Sequence, residues 1–241
     1  VRADMSKDPS GTLKQLADMG YRYVEHANYH NRKFYGYAPA EFKKLLEGYG
    51  LNMPSGHVAM TPKDYDFSRN DFADNWKYTV EDAAAAGQQY LVSPWLDESL
   101  RKTMTDFKAF MGVFNKSGEL CKKYGMKFGY HNHITEFNKI DGVVPYDELL
   151  RLTEPSKVTM ELDCGWVIVG GSNPIEYLRK YPTRISMLHV KDFKRSATPL
   201  SNTNRPVIAE LGQGFIDYAP ILQQASKSGN IKHCFVEQEA F

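Results

Sequence analysis

The chain has no apolar run approaching the roughly 20 residues that a membrane-spanning helix needs. Its charged opening, VRADMSKD, lacks the apolar core segment of a secretory signal. Cysteine is scarce: Cys121, Cys164 and Cys234 are odd in number, far apart and form no CxxC spacing. That argues against a disulfide scaffold, and the three read as buried small hydrophobes. A cytoplasmic location is expected, or a periplasmic one if a leader has been removed. An excess of one charge is missing too. The formal net charge is +1, so neither nucleic acid nor an anionic membrane is indicated as a partner. No GxGxxG or P-loop pattern occurs, and GGSNP at 170–174 reads as a turn into a helix.

What is present is a repeated phrase. A helical stretch ends in Gly and runs within a few residues into an apolar strand: LKQLADMG-YRYVEH, FKKLLEGYG-LNMPSGH, VEDAAAAG-QQYLVSPW, LCKKYG-MKFGYHNH and LQQASKSG-NIKHCFVEQE. Gly20, Gly50, Gly87, Gly125 and Gly229 fit the position after a helix, where a left-handed backbone is needed. Two more strands, KVTMELD and RISMLHVKD, follow short helices around 146–152 and 174–181, with Pro174 suited to a first turn. Phe107, Phe110, Met111, Phe114, Leu120 and Cys121 recur at helical spacing over 103–124.

Seven strands are expected, at roughly 21–25, 51–56, 88–93, 127–132, 157–163, 185–191 and 232–238. Strands alternating with helices imply parallel pairing. The fold expected is a (β/α) barrel in one domain over 1–241, short in this numbering of a first strand before Val1 and a last helix after Phe241. An open doubly wound sheet is the alternative, but polar residues at nearly every strand end call for a common mouth. The irregular stretches 26–38 and 193–216 are candidate active-site loops.

Period-two alternation puts His131 and His133 on one face, Glu161 and Asp163 on one face, Met187, His189 and Lys191 on one face, and Glu237 with Glu239. Unpaired charges inside a barrel are costly. Carboxylates and imidazoles at several strand ends are best reconciled by a divalent cation. Nitrogen and oxygen donors without thiolate suit Mn²⁺, Zn²⁺, Co²⁺ or Mg²⁺.

GYRYVE (20–25), SGH (55–57), YHNHITEF (130–137), ELDCGWVIVGGSNP (161–174), LHVKDF (188–193), LGQGFID (211–217) and FVEQE (235–239) run along nearly the whole chain. In these pieces the sequence resembles the sugar phosphate isomerase/epimerase family of the xylose isomerase-like TIM barrel superfamily. The resemblance implies one divalent metal ion held by Asp163, His189 and Glu237. The fourth ligand is either Glu136, five residues beyond His131, or His131 itself, which stands where many relatives carry Glu. Trp166 stands where relatives often have His, three residues after Asp163; it would wall a sugar ring or pack under the rim. Glu25, His57 and His133 would face substrate hydroxyls, Trp95, Phe34 and Tyr35 would add apolar surface, and Lys191 would hold a carbonyl oxygen or pair with a ligand carboxylate.

The activity implied is a metal-dependent isomerase or epimerase acting on a keto-sugar or related polyol through an enediolate. Glu237 and His131 or Glu136 would move the proton. A dehydratase of the inosose dehydratase type is the close alternative, and a non-catalytic sugar-binding barrel the third. The expected partner is a small carbohydrate, with self-association left open.

Overall fold

A computed structural model of the chain describes residues 1–198 and 204–238. All seven expected strands form: β1 Tyr23–His26, β2 Asn52–His57, β3 Tyr90–Ser93, β4 Lys127–His131, β5 Val158–Asp163, β6 Ile185–Val190 and β7 His233–Val236. They hydrogen-bond in sequence order as one parallel sheet. Among the described residues no ladder joins β7 to β1. The two edge strands nevertheless meet through side chains, the Tyr23 and His233 rings lying 4.8 Å apart edge to face. This is a nearly closed parallel (β/α) barrel of seven strands among the described residues. Glu239 lies outside the described residues.

The helices are α1 Arg2–Lys7, α2 Pro9–Asp18, α3 Pro39–Gly48, α4 Asp74–Ala85, α5 Met104–Lys123, α6 Pro145–Leu152, α7 Cys164–Val169, α8 Pro174–Lys180 and α9 Ala219–Ser228. The five helix-terminating glycines, Gly20, Gly50, Gly87, Gly125 and Gly229, all adopt positive φ. A side chain there would cost energy, so the chain turns sharply from helix to strand at these points. Helix α5 shows how the wall is built. Thr103 caps it by accepting the Asp106 N–H, and Phe107, Phe110, Met111, Phe114 and Cys121 face the strands. Each such ring contributes on the order of 1.5–3 kcal/mol by leaving water. Gly118 lets the helix approach closely, because a Cβ there would meet the Lys157 carbonyl at 2.5 Å.

Two expectations need correction. Cys121 and Cys164 are buried, but Cys234 is exposed, because it points outward from β7 at the open edge of the sheet. Phe34 does not line the mouth. It is buried behind β1 against Phe42 and His26, where the short ribbon Tyr29–His30/Lys33–Phe34 folds back onto α3.

Candidate metal centre

The carboxyl ends of β1, β2, β4, β5, β6 and β7 place Glu25, His57, His131, Glu161, Asp163, His189, Lys191 and Glu237 in one cluster. The parallel register accounts for this, since His131 pairs with Glu161 and Asp163 with His189, and inward alternation does the rest. Two overlapping groups of four have ligand atoms within 4.8 Å of one another: His131, Asp163, His189 and Glu237, and deeper, His57, His131, Glu161 and His189.

Contacts within the cluster are short. Glu237 Oε2 lies 3.0 Å from His189 Nδ1 and 2.9 Å from Lys191 Nζ. His189 Nε2 lies 2.6 Å from Glu25 Oε2, while His57 Nε2 sits 2.6 Å from Glu161 Oε2 and 3.0 Å from Glu25 Oε2. His131 Nδ1 is 3.2 Å from Glu161 Oε2, and its Nε2 is 3.9 Å from Asp163 Oδ2.

Titration follows the packing. Burial disfavours charge on His57, but the Glu25 and Glu161 carboxylates outweigh it and push its pKa up to about 10. The same carboxylates hold His189 well above the ordinary range against burial. Burial, with the His189 charge, pulls His131 down to about 4, and burial takes His133 well below the imidazole range. Burial raises Asp163 to about 7, Lys191 opposing and Glu237 adding to the rise. Burial opposes ionisation of Glu237 as well, yet His189 and Lys191 hold it far below the carboxylate range.

A divalent cation fits the upper group. Asp163 Oδ2 is buried without a hydrogen-bond partner, while Asp163 Oδ1 caps α7 by accepting the Trp166 N–H at 2.8 Å. One oxygen is thus fixed by the fold and the other left to point into the quartet. Two imidazoles with two carboxylates form a mixed donor set suited to Zn²⁺, Mn²⁺ or Co²⁺.

The structure does not bring Glu136 to this cluster. It lies in the single 3₁₀ turn Ile134–Phe137, where its carboxylate accepts the His133 N–H at 2.7 Å and the Thr135 and Tyr130 hydroxyls at 2.9 Å each. Those three bonds hold it behind the strand end, and His131 stands in the fourth position. Sequence reasoning missed Glu161 as a functional residue. The signal was there, since Glu161 shares an inward face with Asp163 two residues on.

Of the expected substrate residues, His57, His133 and Trp95 reach the opening. His57, His131, His133, Trp95 and Glu237 line one cavity at the mouth with Pro94 and Asn28, and Trp95 is largely exposed there. Trp166 is buried, its ring 5.6 Å from His133 and 5.1 Å from Phe193, with Lys191 Nζ 5.1 Å from its centre. It packs beneath the rim as the floor for Lys191. The Tyr35 hydroxyl accepts the N–H of Ala27, the residue after β1, at 3.3 Å.

A family model described as a xylose isomerase-like TIM barrel matches residues 13–240. The inosose dehydratase of Clostridium beijerinckii is 30% identical over 218 residues, covering 82% of this chain and 72% of that protein. The crystal structure of a sugar phosphate isomerase/epimerase from Parabacteroides distasonis superposes with a TM-score of 0.81 at 30% identity, over 99% of this chain and 87% of that one. The IolI protein, whose crystal structure holds a zinc atom, shares the fold at 17% identity and a TM-score of 0.71, over 95% and 82% of the two chains. With a match over nearly its full length and a parallel barrel whose mouth gathers His and carboxylate side chains, the chain belongs to the xylose isomerase-like TIM barrel family.

Proposed function

We propose that the chain is a lyase that dehydrates a keto-sugar or keto-polyol. It removes the proton next to the carbonyl and expels the β-hydroxyl as water. The observation that carries this reading is that, among the described residues, Glu237 is the one carboxylate lining the cavity at the mouth. Glu136 is tied into its own turn, and His131 stands where a second carboxylate would face the substrate.

His131, Asp163, His189 and Glu237 would hold a divalent cation, which would supply charge to polarise the carbonyl and its neighbouring hydroxyl. Glu237, kept ionised by His189 and Lys191, takes the α-proton. The C–O bond to the β-hydroxyl then breaks, and the same carboxyl returns that proton to the departing hydroxide, giving water and an enone. One acid/base group suffices for this same-face elimination. Inverting a carbon needs a second proton donor on the opposite face. Lys191 Nζ, buried beside Glu237, stabilises the oxyanion that develops at the carbonyl oxygen. Trp95 and His133 at the rim bind the sugar body and exclude water. The dehydratase name of the curated relatives agrees with this reading.

Isomerisation or epimerisation is the second reading, favoured by the name of the 30% identical Parabacteroides distasonis structure; His131 or His133 would then donate from the far face. The test is incubation of the metal-loaded protein with inosose and with keto-hexoses in deuterated water. Loss of one water with a new enone absorbance supports the lyase. Deuterium in recovered sugar without water loss selects the isomerase. Binding without either makes the barrel a sugar-binding protein.

A further inference from the structure

Each of the two histidines shared by the two quartets presents its two ring nitrogens to different carboxylates. His131 turns Nε2 toward Asp163 Oδ2 at 3.9 Å and Nδ1 toward Glu161 Oε2 at 3.2 Å. His189 does the converse, with Nδ1 toward Glu237 Oε2 at 3.0 Å and Nε2 toward Glu25 Oε2 at 2.6 Å. Asp163 and Glu237 belong to the upper quartet. Glu161 lies one inward step deeper, two residues and about 7 Å back along β5.

The deeper carboxylates are joined by His57. Its Nε2 lies between Glu25 Oε2 at 3.0 Å and Glu161 Oε2 at 2.6 Å. Its ring stacks on His189 at 5.2 Å, with an interplanar angle of 18°. Glu161 Oε2 therefore has three imidazole nitrogens within reach, the third being His189 Nε2 at 3.3 Å. An ionised carboxylate only accepts hydrogen bonds, so a ring nitrogen that gives its N–H to Glu161 or Glu25 leaves the other nitrogen of that ring to face a cation. Asp163 Oδ2 above, like Glu161 Oε1 and Glu25 Oε1 below, is buried without a hydrogen-bond partner.

We propose that Glu161, Glu25 and His57 are positioning residues, a buried hydrogen-bonded layer that fixes His131 as an Nε2 ligand and His189 as an Nδ1 ligand of the upper metal quartet. The inference rests on the metal reading above and extends it to residues outside the upper quartet. Carboxylates that take the second N–H of a liganding imidazole lock its tautomer and ring angle and raise its basicity. Here the layer does so for two imidazoles from different strands at once, with His57 Nε2 lying between the two carboxylates. Opposite tautomers follow from the geometry, because His131 turns Nδ1 and His189 turns Nε2 to the deeper carboxylates.

The test is zinc titration by calorimetry of the full chain, comparing wild type, Glu161→Gln and Asp163→Asn, with far-UV circular dichroism to verify folding. Wild type is expected to bind one ion. Asp163→Asn should lose it, and Glu161→Gln should still bind one ion about 10–100-fold more weakly. Long-range ¹⁵N–¹H correlations of the zinc-loaded wild type supply a readout that general destabilisation does not move. They should show His131 protonated on Nδ1 and His189 protonated on Nε2. If Asp163→Asn binds zinc normally, the upper quartet itself is wrong. If Asp163→Asn loses zinc but Glu161→Gln binds as wild type, only the positioning layer fails. Zinc on His131 Nδ1 and His189 Nε2 would overturn the layer and place the ion in the deeper quartet. Should Glu161→Gln not fold, Glu25→Gln tests the His189 limb by the same two measurements.

Discussion

The Tyr218 hydroxyl accepts the backbone N–H of Lys191 at 2.9 Å and donates to the carbonyl of the same residue at 2.7 Å. One side chain thereby satisfies both backbone groups of the residue that leaves β6, and the Lys191 ammonium is delivered to Glu237. Removing the hydroxyl takes this partner from a buried donor and a buried acceptor, which costs about 1–3 kcal/mol. Tyr218→Phe should therefore lower the urea midpoint without changing its slope. A midpoint equal to wild type would show that the pair contributes nothing to the fold.

The next residue anchors the following loop. Asp192 Oδ2 accepts the Gly212 and Gly214 N–H groups at 3.0 and 2.9 Å, and Oδ1 accepts those of Phe193 and Ile216 at 2.9 and 3.2 Å. Gly214 makes this possible by having no side chain, since a Cβ would lie 2.0 Å from Asp192 Oδ1 and 2.6 Å from the Phe193 carbonyl. Gly214→Ala should cost about 1–3 kcal/mol by overpacking. It should also expose the 211–216 segment to limited proteolysis under conditions where wild type resists. Equal cleavage of the two proteins would remove the anchor from the account.

Glu136 and Asp163 should separate stability from metal binding. Glu136→Gln disturbs a carboxylate that accepts three bonds in its own turn, so it should lose about 1–3 kcal/mol of stability while keeping one metal ion per chain. Asp163→Asn should do the reverse, with metal content lost and little change in the unfolding free energy of the metal-free protein. Metal analysis beside denaturant unfolding reads both. Loss of metal from Glu136→Gln with its stability intact would restore Glu136 as a ligand.

Five of the seven strands were legible because each follows a glycine that must adopt positive φ, a local requirement written in single residues. Alternation likewise placed His131, Asp163, His189 and Glu237 inward, because period two needs nothing beyond the pleat. Glu136 was not legible in that way. A carboxylate three residues beyond His133 can close a capping turn, and whether it does depends on the Tyr130 hydroxyl beneath it, a contact made across the turn. Glu161 was passed over for a related reason. The sequence shows that it faces inward, but its contacts with His57, His131 and His189 come from three other strands and exist only once the barrel is assembled. Cys234 read as buried because cysteines without a pairing pattern behave as small hydrophobes, whereas its exposure depends on which edge of the sheet its strand occupies.

His26 offers a prediction about acid stability. It ends β1, its ring packs edge-on against Phe34 at 4.7 Å, and both ring nitrogens are buried without hydrogen bonds. Burial pulls its pKa down to about 3, against a raising effect from Glu25 and with a smaller lowering from His57. The folded value lies below the unfolded one of about 6.5. In that case the unfolded chain takes up a proton first as the solution is acidified, so stability contributed by neutral His26 is complete above about pH 6.5 and drains away toward pH 3. By pH 4 the loss is on the order of 3 kcal/mol, at about 1.4 kcal/mol per pH unit. His26→Gln removes the titration, while carboxylates and the other histidines titrate alike in both proteins. Subtracting the two unfolding curves isolates it, and the advantage of wild type over the variant should shrink by that amount between pH 6.5 and pH 4. A difference that does not change with pH would mean that His26 gains its proton within the folded barrel, and that the pocket behind β1 admits charge.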